Sequence, residues 1–89
     1  MTDKDIFFVR VEVFPKPALR DPSAEEILRS LREFGSFPVQ KLRLGKVFDL
    51  EINASNPDEA FSLARQLSDQ FLANPQLEEF FISIKSVQR

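Results

Sequence analysis

From Leu42 to Ile52 the apolar side chains Leu42, Leu44, Phe48, Leu50 and Ile52 all occupy even positions, and a period of two places them on one face of a β-strand. A two-residue hairpin at Gly45 would switch that parity, as would a bulge, so Gly45 reads as a bend inside one continuous strand. At about 3.3 Å per residue such a strand reaches roughly 36 Å, well beyond the usual five or six residues. It is therefore expected to be central, with one half running past the chain's own sheet. An exposed edge of that kind is normally covered by another chain.

A second alternation spans Ile6 to Phe14, with Phe7, Val9, Val11 and Val13 on one face and Arg10 and Glu12 on the other, and Pro15-Lys16-Pro17 ends it. The last strand, Glu79 to Lys85, carries Phe80, Ile82 and Ile84 on one face. Phe8, Phe14, Val47 and Phe81 fall on the faces opposite these stripes, which suggests apolar surface for a partner rather than a fully solvated side.

Between the strands the period changes to that of a helix. Ala24, Ile27, Leu28, Leu31 and Phe34 recur at i, i+3, i+4 and i+7, behind two possible N-caps, Asp21 with Pro22 following or Ser23 with Glu26. Gly35 stands where a left-handed C-terminal cap is expected. Ser55 or Asn56 caps a second helix striped by Ala60, Leu63, Ala64, Leu67 and Phe71, which should stop at Asn74-Pro75 with Asn74 in the left-handed cap. The order β-α-β-α-β predicts an α+β, two-layer sandwich with a long bent central strand and two helices on one face of the sheet, a single domain over residues 1–89.

Composition narrows the chemistry. The 89 residues include ten Phe but no His, Cys, Tyr or Trp, so the usual general base, thiol nucleophile and transition-metal ligands are missing and no catalytic, cofactor-binding or metal site is expected. A formal charge of −2, without a basic face, argues against nucleic acid, and the Lys/Arg-Gly-Phe/Tyr pattern of RNA-binding sheets is absent. The sequence contains neither a membrane-spanning run nor a signal-peptide pattern at its start, Met-Thr-Asp-Lys-Asp, so no membrane partner is expected and the chain is placed in the cytoplasm.

Lys46 is the sharpest individual residue: even parity puts its ammonium on the apolar side of the strand, where it must find an acid, a partner subunit or the sheet edge. Gly45 reads mainly as backbone shape. Lys41 and Arg43 could join Lys46 in an anion site, although alternation makes them an ordinary solvated face. Asp21-Pro22 and Asn74-Pro75 are accounted for as caps.

Three segments together resemble the PurS family, the small subunit of phosphoribosylformylglycinamidine (FGAM) synthase. Lys16-Pro17-Ala18-Leu19-Arg20-Asp21-Pro22 is similar to the family's Lys, hydrophobic, Asp-Pro approach to its first helix; Val39 to Glu51 is similar to its V-x-x-V-R-x-G-K strand; and Leu72-Ala73-Asn74-Pro75-Gln76-Leu77-Glu78-Glu79-Phe80 is similar to its L-A-N-P turn. Ser23-Ala24 departs from the usual Gln-Gly, and Leu44 stands where Val or Ile is commoner. The resemblance implies a subunit with no active site of its own, bridging an ATP- and Mg-using synthetase (PurL) and a glutaminase (PurQ) in purine biosynthesis and supporting ammonia transfer between them. The implied partners are further copies of the chain, PurL and PurQ, with Lys46, Gly45, Arg43, Lys16, Asp21, Asn74 and Pro75 as contact candidates. The alternative function is a small dimeric ligand-binding regulatory module.

Overall fold

A computed structural model describes residues 4–89; the first three residues of the N-terminal stretch read above for a signal peptide lie outside it. The chain runs β1 (Asp5–Pro15), α1 (Pro22–Glu33), β2 (Lys46–Ala54), α2 (Pro57–Leu67), a single π-type turn (Ser68–Leu72) and β3 (Glu78–Gln88). The strands form one antiparallel sheet in the order β2-β1-β3.

The α+β class holds, a sheet with two helices, but the central position belongs to β1. All 11 of its residues pair with a neighbour, and Phe7, Val9, Val11 and Val13 are buried. The expected long strand from Leu42 is shorter and lies at an edge. Lys46 is opposite Val13, and two residues later β1 ends at Pro15, beyond which the Lys16 N–H donates to the Leu77 carbonyl instead (2.9 Å). Residues 42–45 therefore find no ladder in their own sheet. Even parity nonetheless persists, with Phe48, Leu50 and Ile52 half-buried on the same face as the β1 core.

Expecting both helices over one face was correct for only one of them. α2 packs across all three strands, and Ala60 and Ala64 seat it directly on Phe7, Val9 and Ala54. Its small side chains permit the close approach that excludes water from the core. α1 instead projects from the end of the sheet with only Ala24 buried. The radius of gyration is 17.0 Å and the molecule measures 60 × 27 × 14 Å, whereas a compact chain of this length would have a radius near 12 Å.

The caps resolve both sequence alternatives. The Asp21 carboxylate accepts from the Ser23 and Ala24 N–H groups, and the Asn56 side chain accepts from the Glu59 N–H. Neither expected left-handed cap forms: Ser36, at φ 55°, takes that conformation after α1 in place of Gly35. A side chain on Gly35 would collide with the Phe37 ring. α2 passes into the π-type turn, whose end is closed by the Ala73 N–H donating to Ser68 O (2.9 Å). Asn74 lies beyond it in a separate turn, and Phe71, expected on the buried stripe, is 81% exposed.

Candidate partner interface

The contact candidates gather at the end of the sheet where β1 stops. Arg43, expected to be solvated, is the most heavily engaged. Its guanidinium donates to Glu79 (2.6 Å) and to the Pro15 carbonyl (3.1 Å), and it lies 4.5 Å from the centroid of the Phe14 ring. Phe14 in turn meets Phe81 edge-on at 6.2 Å. Arg43 thus ties the strandless residues before β2 to the ends of β1 and β3, with a planar cation on an aromatic face.

Gly45 makes that path possible. A Cβ there would drive into the Val13 carbonyl and the Phe14 ring, so the residue is set by backbone approach, as its position in the sequence suggested. Lys46 follows on the core-side face, opposite Val13. Its ammonium lies 3.7 Å from Glu78 across β1, and the other oxygen of Glu78 accepts from the Asn74 N–H (2.8 Å). One carboxylate therefore links the start of β2 to the turn before β3. Asn74 closes that turn, accepting from the Gln76 N–H on its side chain and from the Leu77 and Glu78 N–H groups on its carbonyl, with Pro75 inside it.

Lys16, Asp21 and Arg43 share a cleft of about 220 Å³ between the β1 exit, the first turns of α1 and residues 42–44. Asp21 and Asn74 line a neighbouring hollow with Leu77 and Glu78. The structure thus brings the candidates to one end of the molecule but does not make an anion site of them: Arg43 and Lys46 already face Glu79 and Glu78. Sequence reasoning missed both carboxylates. The available signal was their position, two adjacent acids at the first residues of a strand that must lie beside the Pro15 exit.

The outer face of the sheet carries one further polar pair. Arg10 and Asp49, opposite each other in the β1–β2 register, form a two-pronged hydrogen bond (2.8 and 3.1 Å). That bond lowers the Asp49 pKa, chiefly through the hydrogen bonding, and raises that of Arg10. Around the pair, Val47 and Phe81 remain exposed, as do Ile27, Phe34 and Phe37 on and just after α1. Among the described residues no helix is long and apolar enough to cross a membrane, and no group of three or more His, Cys, Asp or Glu is placed to hold a metal ion.

The family model of PurS, phosphoribosylformylglycinamidine (FGAM) synthase, matches residues 8–86. The phosphoribosylformylglycinamidine synthase subunit PurS of Thermotoga maritima is 39% identical over 75 residues, covering 84% of this chain and 92% of that protein. Among solved structures, the purS subunit from Thermotoga maritima superposes with a TM-score of 0.87 at 35% identity, covering 92% of this chain and 94% of that one. A chain of PurLQS from the same organism superposes with a TM-score of 0.85 at 36% identity, covering 90% and 98%. A family match over nearly the whole length, with the same sheet and helices in the solved relatives, shows that the chain belongs to the PurS family of FGAM synthase subunits.

Proposed function

We propose that this chain is the non-catalytic subunit that holds a synthetase and a glutaminase together, as PurL and PurQ partners, and supports ammonia transfer between them during purine biosynthesis in the cytoplasm. ATP and Mg are used by the synthetase, and this chain binds no cofactor. The observation that carries the proposal is the α1 arm. A 12-residue helix leaves the sheet with Ile27 and the Phe34 at its C-cap exposed, an arrangement that gains stability when other chains cover it. A Thermotoga maritima structure described as PurLQS contains a chain of the same fold, which supports PurL and PurQ as the other chains, and the residues lining the arm's root supply surface rather than reactive groups. We also take the chain to be at least a dimer, because the exposed Phe and the free sheet edges exceed what a lone domain of this size tolerates. Family membership disfavours a ligand-binding regulatory module.

The test is reconstitution with the cognate synthetase and glutaminase. Glutamine-dependent formation of the amidine should require this chain, whereas synthesis from free ammonia should depend on it much less. Phe34→Asp should lower the glutamine-dependent rate and leave the melting temperature of the isolated chain within a degree or two. Full glutamine-dependent turnover without the chain would overturn the proposal.

A further inference from the structure

The apolar line of α2 and the path of its backbone part at Ser68. Phe71 follows Ala64 by seven residues, nearly two turns of an α-helix, so a helix carried on would lay its ring on the sheet beside Ala60 and Ala64. The π-type turn Ser68–Leu72 instead takes one residue more, closed by the Ala73 N–H on Ser68 O. The stripe moves on by one position: Leu72 is half-buried and Phe71 is 81% exposed. Nothing in Ser68-Asp69-Gln70-Phe71-Leu72-Ala73 resists an α-helix, with neither Gly nor Pro among them. The observed winding also keeps the Ser68 Oγ buried with no hydrogen-bond partner among the described residues. A bare Phe and an unpaired buried hydroxyl are both unfavourable, so the local sequence favours one winding while the rest of the chain imposes another.

The constraint comes from beyond the turn. The Asn74 N–H donates to Glu78 (2.8 Å), and the Leu77 and Glu78 N–H groups return to the Asn74 carbonyl (3.0 and 2.7 Å). Glu78 is itself fixed opposite Pro15, with its other oxygen 3.7 Å from the Lys46 ammonium. Rewinding the turn as α-helix would advance every later residue by about 100° and about 1.5 Å, which carries Asn74 away from Glu78. We propose that Ser68–Leu72 is a one-residue register switch: wound as π it turns Phe71 out while Glu78 holds Asn74 and Lys46, and wound as α it brings Phe71 onto the sheet once Glu78 lets go. A partner-chain cation that takes the Glu78 carboxylate therefore biases the turn towards the α-wound state, and by linkage burial of Phe71 favours that pairing.

The chain has neither Trp nor Tyr, so Phe71→Trp in the full-length chain gives an indole signal from this position alone. That indole should emit, and be quenched by acrylamide, as a solvated group. Adding Glu78→Ala should shift its emission to the blue and lower the quenching constant about threefold, as the α-wound state becomes the larger population. Glu79→Ala, which breaks the neighbouring pair with Arg43 and leaves the Asn74 bond in place, should keep the indole solvated. Deleting Gln70 removes the extra residue, so the turn winds as α-helix with Asn74 still on Glu78. In that background Glu78→Ala should no longer shield the indole. An indole shielded in Phe71→Trp alone, unchanged by Glu78→Ala, or shielded equally by Glu79→Ala overturns the proposal. So does shielding by Glu78→Ala that survives the deletion of Gln70. Should the deletion variant not fold, the contrast between Glu78→Ala and Glu79→Ala decides.

Discussion

The two helices begin alike and end in different circumstances. Each opens on an Asx cap followed by proline, with acids in the first turn and arginine in the last, and each carries an apolar stripe. α2 lies on the sheet with Ala60 and Ala64 fully buried, while the α1 stripe leaves Ile27 41% and Phe34 80% exposed. An apolar stripe therefore states that a face will be covered but not by which chain. The difference lies in what precedes each helix. β2 runs directly into α2 through Ser55 and Asn56, which folds the helix back over its own strands, whereas Pro15-Lys16-Pro17 and the turn closed by the Leu19 N–H on the Lys16 carbonyl (2.9 Å) direct α1 off the end of the sheet.

Substitutions at matching positions should separate the helices. The largest effect is expected for Ala64→Asp, which buries a carboxylate against Phe7 and Val9 at a cost of about 3–5 kcal/mol; in a domain this small, circular dichroism should show an unfolded chain. Ile27→Asp on α1 should leave the spectrum and melt nearly unchanged. Gly45→Ala comes next, at about 1–3 kcal/mol in urea titration, because its methyl meets the Val13 carbonyl as well as the Phe14 ring, and the backbone carbonyl of the central strand cannot swing aside as a side chain can. The caps should then divide by helix: Asn56→Ala should cost about 1 kcal/mol of global stability, and Asp21→Ala should increase amide exchange within α1 while moving the global midpoint much less.

The smallest effect concerns the outer face, away from both helices. Hydrogen bonding to Arg10 holds the Asp49 pKa below its ordinary value, so the pair's contribution is present above an unfolded-state pKa of about 3.9 and is lost as pH falls through the lower folded value. The gap in melting temperature between wild type and Asp49→Asn should be small at pH 7 and close as pH drops below about 4. Both side chains are well exposed, so added salt should narrow it too.

Much of this arrangement was legible in the sequence wherever the signal was local. The odd parity of β1, the even parity of β2, and the capping residues Asp21 and Asn56 all report contacts made within a few positions. Strand order was not legible, because a period of two assigns faces and says nothing of neighbours; the longest alternation suggested the centre, and the centre went instead to the strand whose two edges both find partners. The contact candidates were legible as residues and not as an arrangement. Their meeting point depends on Glu78 and Glu79, which become partners for Lys46 and Arg43 only after β3 returns alongside β1. The left-handed Ser36 ran against the expectation for glycine; Gly35 is used where the Phe37 ring leaves no room for a side chain.

The placement of β1 at the centre of the sheet also bears on synthesis. It is made before the other two strands of its sheet, yet it pairs with the later of them, Ile6 lying opposite Gln88. At roughly 5–20 residues per second, Phe7 to Phe14 must wait several seconds after translation before β3 exists to cover their second edge. Both helices can form in that interval, since their bonds are local. The growing chain therefore spends its vulnerable period as two helices and an uncovered Phe- and Val-rich strand, and aggregation during expression should trace to that strand, increasing when β3 is truncated or elongation is slowed and decreasing when chaperones are plentiful.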